Sequence, residues 1–117
     1  MLTIYGIPNC DTVKKSRDTI GNYGIEYLFH DYKKNGISRD KLEEWLQQIP
    51  LSTLVNKKGT TYRGLDEQQK SDLESIETAI PVLMSNPSVI KRPVIEDQKI
   101  VAVGFDKDQY EKLFSKG

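Results

Sequence analysis

Residues 2–17 read LTIYGIPNCDTVKKSR and contain the only cysteine of the chain, Cys10. Residues 2–5 are apolar and favour a strand, and Gly6, Pro8 and Asn9 then favour a turn. A helical pattern begins at or just after Cys10 and covers residues 11–22. The sequence therefore predicts that the cysteine lies where a strand passes into the N-terminus of a helix.

That position is typical of a reactive thiol. Unpaired N–H groups and the positive end of the helix dipole favour the thiolate, which is the nucleophilic form of cysteine. Lys14, Lys15 and Arg17 add positive charge within the next two turns. The alternative is that Cys10 is a small buried apolar residue, as most free cysteines are.

Composition restricts the class of protein. A chain of 117 residues is expected to form one domain, residues 1–117. The 17 basic and 17 acidic residues give a formal net charge of +0, which argues against binding nucleic acid through bulk electrostatics. No apolar run approaches the ~18 residues of a membrane span, and no signal peptide is recognisable. A lone cysteine fits a reducing cytoplasm, and we expect a monomer.

The remaining pattern predicts a helical block between strands. A second strand is expected at 25–32, and Asp97-Gln98 is expected to form a two-residue hairpin connection. Pro81 is expected to open a short helix, 82–85. The other predicted segments are helices at 38–48, 51–55 and 66–80, a loop at 56–61, strands at 93–96 and 99–103, and a helix at 106–114. The order is β-α-β, helices, then β-β-α.

Five spaced stretches resemble the arsenate reductase (ArsC) family, in particular its YffB-like branch. They are GIPNCDTVKKSR (6–17), FHDYKKNGIS (29–38), LVNKKGTTYRGLD (54–66), NPSVIKRPVIE (86–96) and VGF (103–105). The resemblance runs from near residue 2 to about 114. It implies an α/β, thioredoxin-like fold with a mixed four-stranded sheet and an all-helical insertion at about 34–90.

The resemblance also implies an activity. Cys10 would be the nucleophile that attacks an oxidised sulfur or arsenic, and Arg92 and Arg63 would bind the anionic substrate, a small-molecule thiol or an oxyanion. Arg92 precedes Pro93, which the resemblance makes a cis-proline. Glutathione would be the co-substrate, glutaredoxin a recycling partner, and no cofactor or metal would be held.

Three further residues near Cys10 are candidates for binding glutathione. Thr12 and Asn9 can supply hydrogen bonds at the turn, although Asn9 can equally serve only to shape it. Lys14, with Lys15, can attract an anion, and the alternative is a solvated helix face. Arg63 has the corresponding alternative of an ordinary arginine in the polar loop 59–64.

The single histidine and the single tryptophan are expected to be structural. His30 lies within a predicted strand, and one cysteine with one histidine is too few ligands for zinc. Trp45 shares a helical face with Leu42 and Ile49, which predicts a place in the core of the insertion.

Two departures from the family pattern keep other functions open. Arsenate reductases resemble one another in a histidine four residues before the cysteine, where this chain has Gly6, and in a third arginine that is absent from residues 101–105. Both departures weigh against arsenate as the substrate. The chain also resembles the Spx branch, which binds RNA polymerase and senses oxidation through a Cys-x-x-Cys pair, but Val13 occupies the second cysteine position. An Spx-like regulatory module and a non-catalytic family member are therefore the alternatives.

Overall fold

The computed structural model describes residues 1–115 and divides the chain into two compact units. The first unit comprises Met1–Asp31 and the chain from Arg92 onward, and the second comprises Tyr32–Lys91. The second unit occupies the place of the predicted helical insertion, 34–90, within two residues at each end.

Four strands and eight α-helices make up the described chain. In order they are β1 (Leu2–Gly6), α1 (Asp11–Asn22), β2 (Tyr27–Asp31), α2 (Tyr32–Asn35), α3 (Arg39–Leu46), α4 (Leu51–Leu54), α5 (Thr60–Arg63), α6 (Glu67–Asp72), α7 (Ile76–Ser85), β3 (Val94–Asp97), β4 (Lys99–Val103) and α8 (Lys107–Phe114). A short 3₁₀ helix, Pro87–Val89, follows α7. None of the helices described is long and apolar enough to cross a membrane.

The first unit is built on one mixed sheet with the strand order β2-β1-β3-β4. Strand β1 pairs with β2 in parallel and with β3 antiparallel, and β3 pairs antiparallel with β4. This arrangement confirms the predicted thioredoxin-like, four-stranded α/β fold.

The apolar core of the first unit lies on one face of the sheet. Successive strand residues point to opposite faces, so Leu2 and Ile4 share the core face of β1. They are joined there by Ile95 of β3 and Ala102 of β4, and helices cover them with Ile20, Tyr110 and Phe114. All seven residues are at most 7% exposed, so α1 and α8 are held against the sheet by the hydrophobic effect.

The second unit confirms two of the predictions for the insertion. The Ser38 hydroxyl accepts a hydrogen bond from the Lys41 backbone N–H at 3.1 Å and caps α3. Leu42 and Trp45 on that helix are fully buried. Trp45 is therefore a core residue of this unit.

Two predicted boundaries in the second unit are wrong. Residues 60 and 61, expected in a loop, begin the single turn α5, because the flanking Gly59 and Gly64 cap a helical turn. The predicted helix 66–80 is two helices, α6 and α7, separated at 73–75. Ile76 is 47% exposed, so its helical spacing from Leu73 does not mark a continuous buried face.

Pro81 lies inside α7 and does not open a new helix. The helix begins at Ile76, after the N-cap residue Ser75, whose carbonyl accepts the Ala79 N–H at 2.8 Å. Proline removes one hydrogen bond from a helix interior. Burial of Ala79, Ile80, Val82 and Leu83 on both sides of the proline holds the helix together.

The β3–β4 connection is one residue shorter than predicted. Asp97 pairs with Lys99, so only Gln98 lies between paired residues, and its φ is +66°. The register shifts by one residue between Ile95 and Glu96, where the β4 strand carries an extra residue. A bulge of this kind increases the local twist and shifts the pairing that closes the hairpin.

The Tyr110 hydroxyl anchors α8 to the rest of the first unit. It donates to the Gly104 carbonyl at 2.7 Å and lies 3.0 Å from the Ser16 hydroxyl of α1. Tyr110 is fully buried, and burial raises the pKa of its phenol to about 12, an effect that the hydrogen bond with Ser16 partly offsets.

We expect Tyr110→Phe to lower the free energy of unfolding by about 1–2 kcal/mol at pH 7, because it leaves buried hydrogen-bonding groups without their partner. The raised pKa means that the folded protein binds the phenolic proton more tightly than the unfolded chain does. The contribution of this pKa difference to the free energy of unfolding is therefore complete below pH ~10. It is lost as the pH rises through about 12.

Urea unfolding at pH 8 and pH 11 measures this dependence. The stability gap between wild type and Tyr110→Phe should narrow by about 1 kcal/mol at pH 11. Tyr23→Phe, at a tyrosine that is 39% exposed, is the control. A stability difference that is the same at pH 8 and pH 11 would contradict the raised pKa of Tyr110.

Candidate active site

Cys10 lies at the N-terminus of α1, as the sequence predicts. It is the N-cap residue with extended backbone (φ −117°, ψ 124°), and its carbonyl accepts the Lys14 N–H at 2.9 Å. The side chain is half-buried and, in the described chain, makes no capping hydrogen bond. The side chain thus lies at the positive end of the helix dipole, beside the Asp11 carboxylate of the first turn.

The strand register brings the segment before β3 to the same end of the sheet. Tyr5 pairs with Val94 in the antiparallel β1–β3 ladder, so Pro93 follows beside Gly6. The Arg92–Pro93 peptide bond is cis, the conformation that the family resemblance implied. Pro93 is buried, and Arg92 is half-buried. The Pro93 carbonyl already accepts the Gly104 N–H at 2.8 Å, so the sheet uses that group.

The other predicted binding residues divide between the two units. Asn9 and Thr12 are exposed on the Cys10 turn and the first turn of α1, and Lys14 is exposed one turn later. The Thr12 carbonyl accepts the Ser16 hydroxyl at 3.0 Å. Arg63 is exposed at the end of α5, in the second unit. Of the seven predicted site residues, Cys10 included, all but Arg63 thus belong to the first unit.

Gly6 and Val13 form a close contact beneath the Cys10 turn. Both are buried, and a Cβ atom added to Gly6 would lie 2.8 Å from Val13 Cγ2. Valine in a helix has one strongly preferred side-chain rotamer, so this methyl group cannot easily turn away. Val13 therefore opposes any larger side chain at position 6.

We expect Gly6→Ala to destabilise the protein by about 1–3 kcal/mol, because it overpacks this contact. Val13→Ala removes the blocking methyl groups and should partly compensate. The double variant should be more stable than the sum of the single effects by about 1 kcal/mol, measured by urea unfolding. Additive effects would show that Val13 does not limit the side chain at position 6.

The sheet face opposite the core carries a row of polar side chains that was not predicted from the sequence. The Tyr5 hydroxyl donates to Glu96 Oε1 at 3.0 Å, and the Tyr5 ring packs on the His30 ring with centroids 4.7 Å apart. Glu96 is 7% exposed. Strand alternation places Glu96 on the same face as the buried Val94. This alternation is the sequence signal that could have identified Glu96 as a buried carboxylate.

His30 is therefore a packing partner in the described structure, in agreement with its predicted structural role. Its register partner in the parallel ladder is Tyr5, which explains the ring contact. Within residues 1–115 no group of three His, Cys, Asp or Glu side chains is arranged to hold a metal ion.

Known proteins are similar to this chain in sequence and fold along nearly its whole length. The ArsC family matches residues 5–113. A protein of Haemophilus influenzae known only as uncharacterized is 42% identical over 98% of this chain and 100% of its own. The global transcriptional regulator Spx of Streptococcus pyogenes is 28% identical, over 99% of this chain and 87% of its own.

Solved structures agree in fold. A YffB protein superposes with a TM-score of 0.90 at 41% identity and covers 98% of this chain and 100% of its own. An arsenate reductase (ArsC) related protein from Brucella melitensis has a TM-score of 0.74 at 43% identity, over 97% of this chain and 93% of its own.

Proposed function

The chain belongs to the ArsC family, and we propose that it is a cytoplasmic, glutathione-dependent thiol oxidoreductase with Cys10 as its single nucleophile. The observation that carries this proposal is the placement of the only cysteine, half-buried, at the N-terminus of a 12-residue helix. Helix N-termini lower the cost of forming a thiolate. One cysteine and no internal disulfide suit a reducing compartment.

The reaction follows from having only one thiol. The Cys10 thiolate attacks a mixed disulfide R–S–S–G, forms Cys10–S–S–G and releases R–S⁻, which takes a proton from water. A glutathione thiolate then attacks Cys10–S–S–G, forms oxidised glutathione and restores the Cys10 thiolate. The substrate disulfide gains two electrons, and two glutathione moieties supply them. Glutaredoxin is the proposed recycling partner, which would reduce any Cys10–S–S–G disulfide that persists.

Two arginines are proposed to bind the anionic substrate. Arg92 adjoins the cis-proline at the Cys10 end of the sheet, and a guanidinium can bind a carboxylate or an oxyanion through two parallel hydrogen bonds. Arg63 is proposed for the same role from the second unit. Arsenate is the less favoured substrate, because Gly6 leaves no histidine before Cys10 and its place is closed by Val13.

We expect Cys10→Ser to abolish disulfide reduction while the protein stays folded, since the nucleophile is lost and the side-chain volume changes little. The assay uses 2-hydroxyethyl disulfide with glutathione, coupled to glutathione reductase, with the uncatalysed rate subtracted. Circular dichroism and urea unfolding are the controls for folding. A residual rate above ~10% of wild type would exclude Cys10 as the nucleophile.

The role of Arg92 is tested by alkylating Cys10 with iodoacetamide as a function of pH. We expect Arg92→Ala to slow labelling at pH 7 and to move its midpoint to higher pH, because a cation near the thiolate is removed. Arg92→Lys should restore much of the effect. Lys91→Ala, an equal loss of charge at the exposed neighbouring residue, is the control. A midpoint that Arg92→Ala leaves unchanged would remove Arg92 from the site.

Similarity to Spx supports a second candidate function, a regulatory module that binds RNA polymerase. The relative from Streptococcus pyogenes is described as a global transcriptional regulator. A Cys-x-x-Cys switch is not possible here, because Val13 stands at the second position. Specific capture of RNA polymerase by the purified protein would favour this function, and absence of binding would contradict it.

A non-catalytic family member is the third alternative. It predicts an ordinary thiol, so the wild-type alkylation midpoint would lie at or above ~8.5. A midpoint below ~7 is expected for the oxidoreductase.

A further inference from the structure

A buried serine lies in the interior of α1. Ser16 is 0% exposed and lies on the buried side of the helix with Val13 and Ile20. Serine is a poorer helix former than alanine, and a serine hydroxyl that bonds the carbonyl of residue i−4 slightly destabilises a helix. Alanine would be more favourable for the helix itself, so the hydroxyl is explained by what it contacts.

The Ser16 hydroxyl lies between two partners. It donates to the Thr12 carbonyl at 3.0 Å and lies 3.0 Å from the Tyr110 hydroxyl. Tyr110 does not need Ser16 as an acceptor, because it donates its own proton to the Gly104 carbonyl at 2.7 Å. The Ser16 proton is therefore available for the Thr12 carbonyl. The Gly104 N–H in turn donates to the Pro93 carbonyl at 2.8 Å, so the same chain of hydrogen bonds reaches the cis-proline.

The Thr12 carbonyl and the Val13 N–H are the two ends of one peptide unit. Cys10 is the N-cap residue of α1, which places Thr12 and Val13 at the second and third helical positions. The N–H groups of these positions are the ones from which an N-cap side chain accepts hydrogen bonds. A hydrogen bond to the carbonyl end polarises the peptide unit and makes its N–H a stronger donor. Ser16 is therefore connected to the thiol through a single peptide unit.

We infer that Ser16 is a positioning residue for the Cys10 thiolate. Its hydroxyl orients and polarises the peptide unit between Thr12 and Val13, so that the Val13 N–H donates more strongly to the sulfur once the thiol has ionised. A neutral thiol is a weak acceptor, and in the described chain Cys10 makes no capping hydrogen bond. The bond from Val13 therefore forms on ionisation and favours the charged form. This inference rests on the proposed function, in which the thiolate is the nucleophile.

The pH dependence of Cys10 alkylation by iodoacetamide tests the inference. We expect Ser16→Ala to raise the midpoint of the pH–rate profile by about 0.3–0.5 pH unit and to slow labelling at pH 7 by about twofold. The charged groups assigned to this end of the sheet are Asp11 and Lys14 on α1 and Arg92 beside the cis-proline. Ser16→Ala leaves all three in place, so a changed midpoint reports on the hydroxyl.

Ile20→Val is the matched control on the same helix. It shortens a fully buried side chain that takes no part in the hydrogen-bond chain, and it lowers stability. Urea unfolding measures the loss of stability in this variant and in Ser16→Ala. We expect Ile20→Val to keep the wild-type alkylation midpoint. Midpoints that rise equally in the two variants would overturn the inference, because they would indicate a general loosening of α1.

A second measurement observes the peptide unit itself. The Val13 amide proton is followed by ¹H–¹⁵N NMR while the pH is raised through the ionisation of Cys10. We expect a downfield shift in wild type, because the amide begins to donate to the thiolate, and a smaller shift in Ser16→Ala. Cys10→Ser has no thiol to ionise and should show no such shift. A Val13 amide in wild type that does not respond to the ionisation overturns the inference.

The outcomes separate this inference from the proposed function. A midpoint that Ser16→Ala leaves unchanged overturns the inference, even where the wild-type midpoint lies below ~7 and supports the oxidoreductase. A midpoint that rises in Ser16→Ala but not in Ile20→Val supports the inference, even where the wild-type protein reduces no disulfide and the proposed function fails.

Discussion

Pairing of β1 with a neighbour on each side fixes the geometry around Cys10. The parallel register with β2 and the antiparallel register with β3 both end near Gly6, where the chain turns toward the thiol. A slip of one residue would exchange the two faces of the strand. Ile4 would leave the apolar core, and Tyr5 would lose its hydrogen bond to the buried Glu96. The position of the cysteine therefore depends on hydrogen bonding and burial along the whole strand.

Elements that carry their own local signals are predictable from the sequence. The α1 start at Cys10, the Ser38 cap of α3 and the strands of the first unit all follow from patterns within a few residues. The division of 66–80 does not, because Ile76 has helical spacing but is largely exposed. The break between α6 and α7 depends on which residues are buried in the folded unit. The helical spacing of apolar residues does not show this.

The candidate site shows the same division between local and distant information. Cys10, Asn9, Thr12 and Lys14 are adjacent in sequence and can be identified together. The contact between Tyr5 and Glu96 joins residues that are 91 positions apart, and only the register of β1 with β3 brings them together. The Gly6–Val13 contact spans seven residues, but it depends on the close approach of a helix to a strand end. Hydrophobic patterning shows that Val13 is buried without showing what it touches.

The single thiol imposes a chemical requirement on the proposed reaction. Val13 is fully buried against Gly6, so the helix position one turn after Cys10 is occupied by packing. With no second thiol there, the proposed reaction needs an outside thiol to resolve each disulfide formed at Cys10. An external thiol loses translational and rotational freedom when it binds, and fixed complementary charges offset part of that loss. Arg17, stacked on Phe29 and hydrogen-bonded to Tyr27, is such a fixed charge on the same helical face as the thiol. Packing beneath Cys10 thus makes the proposed reaction depend on an outside thiol.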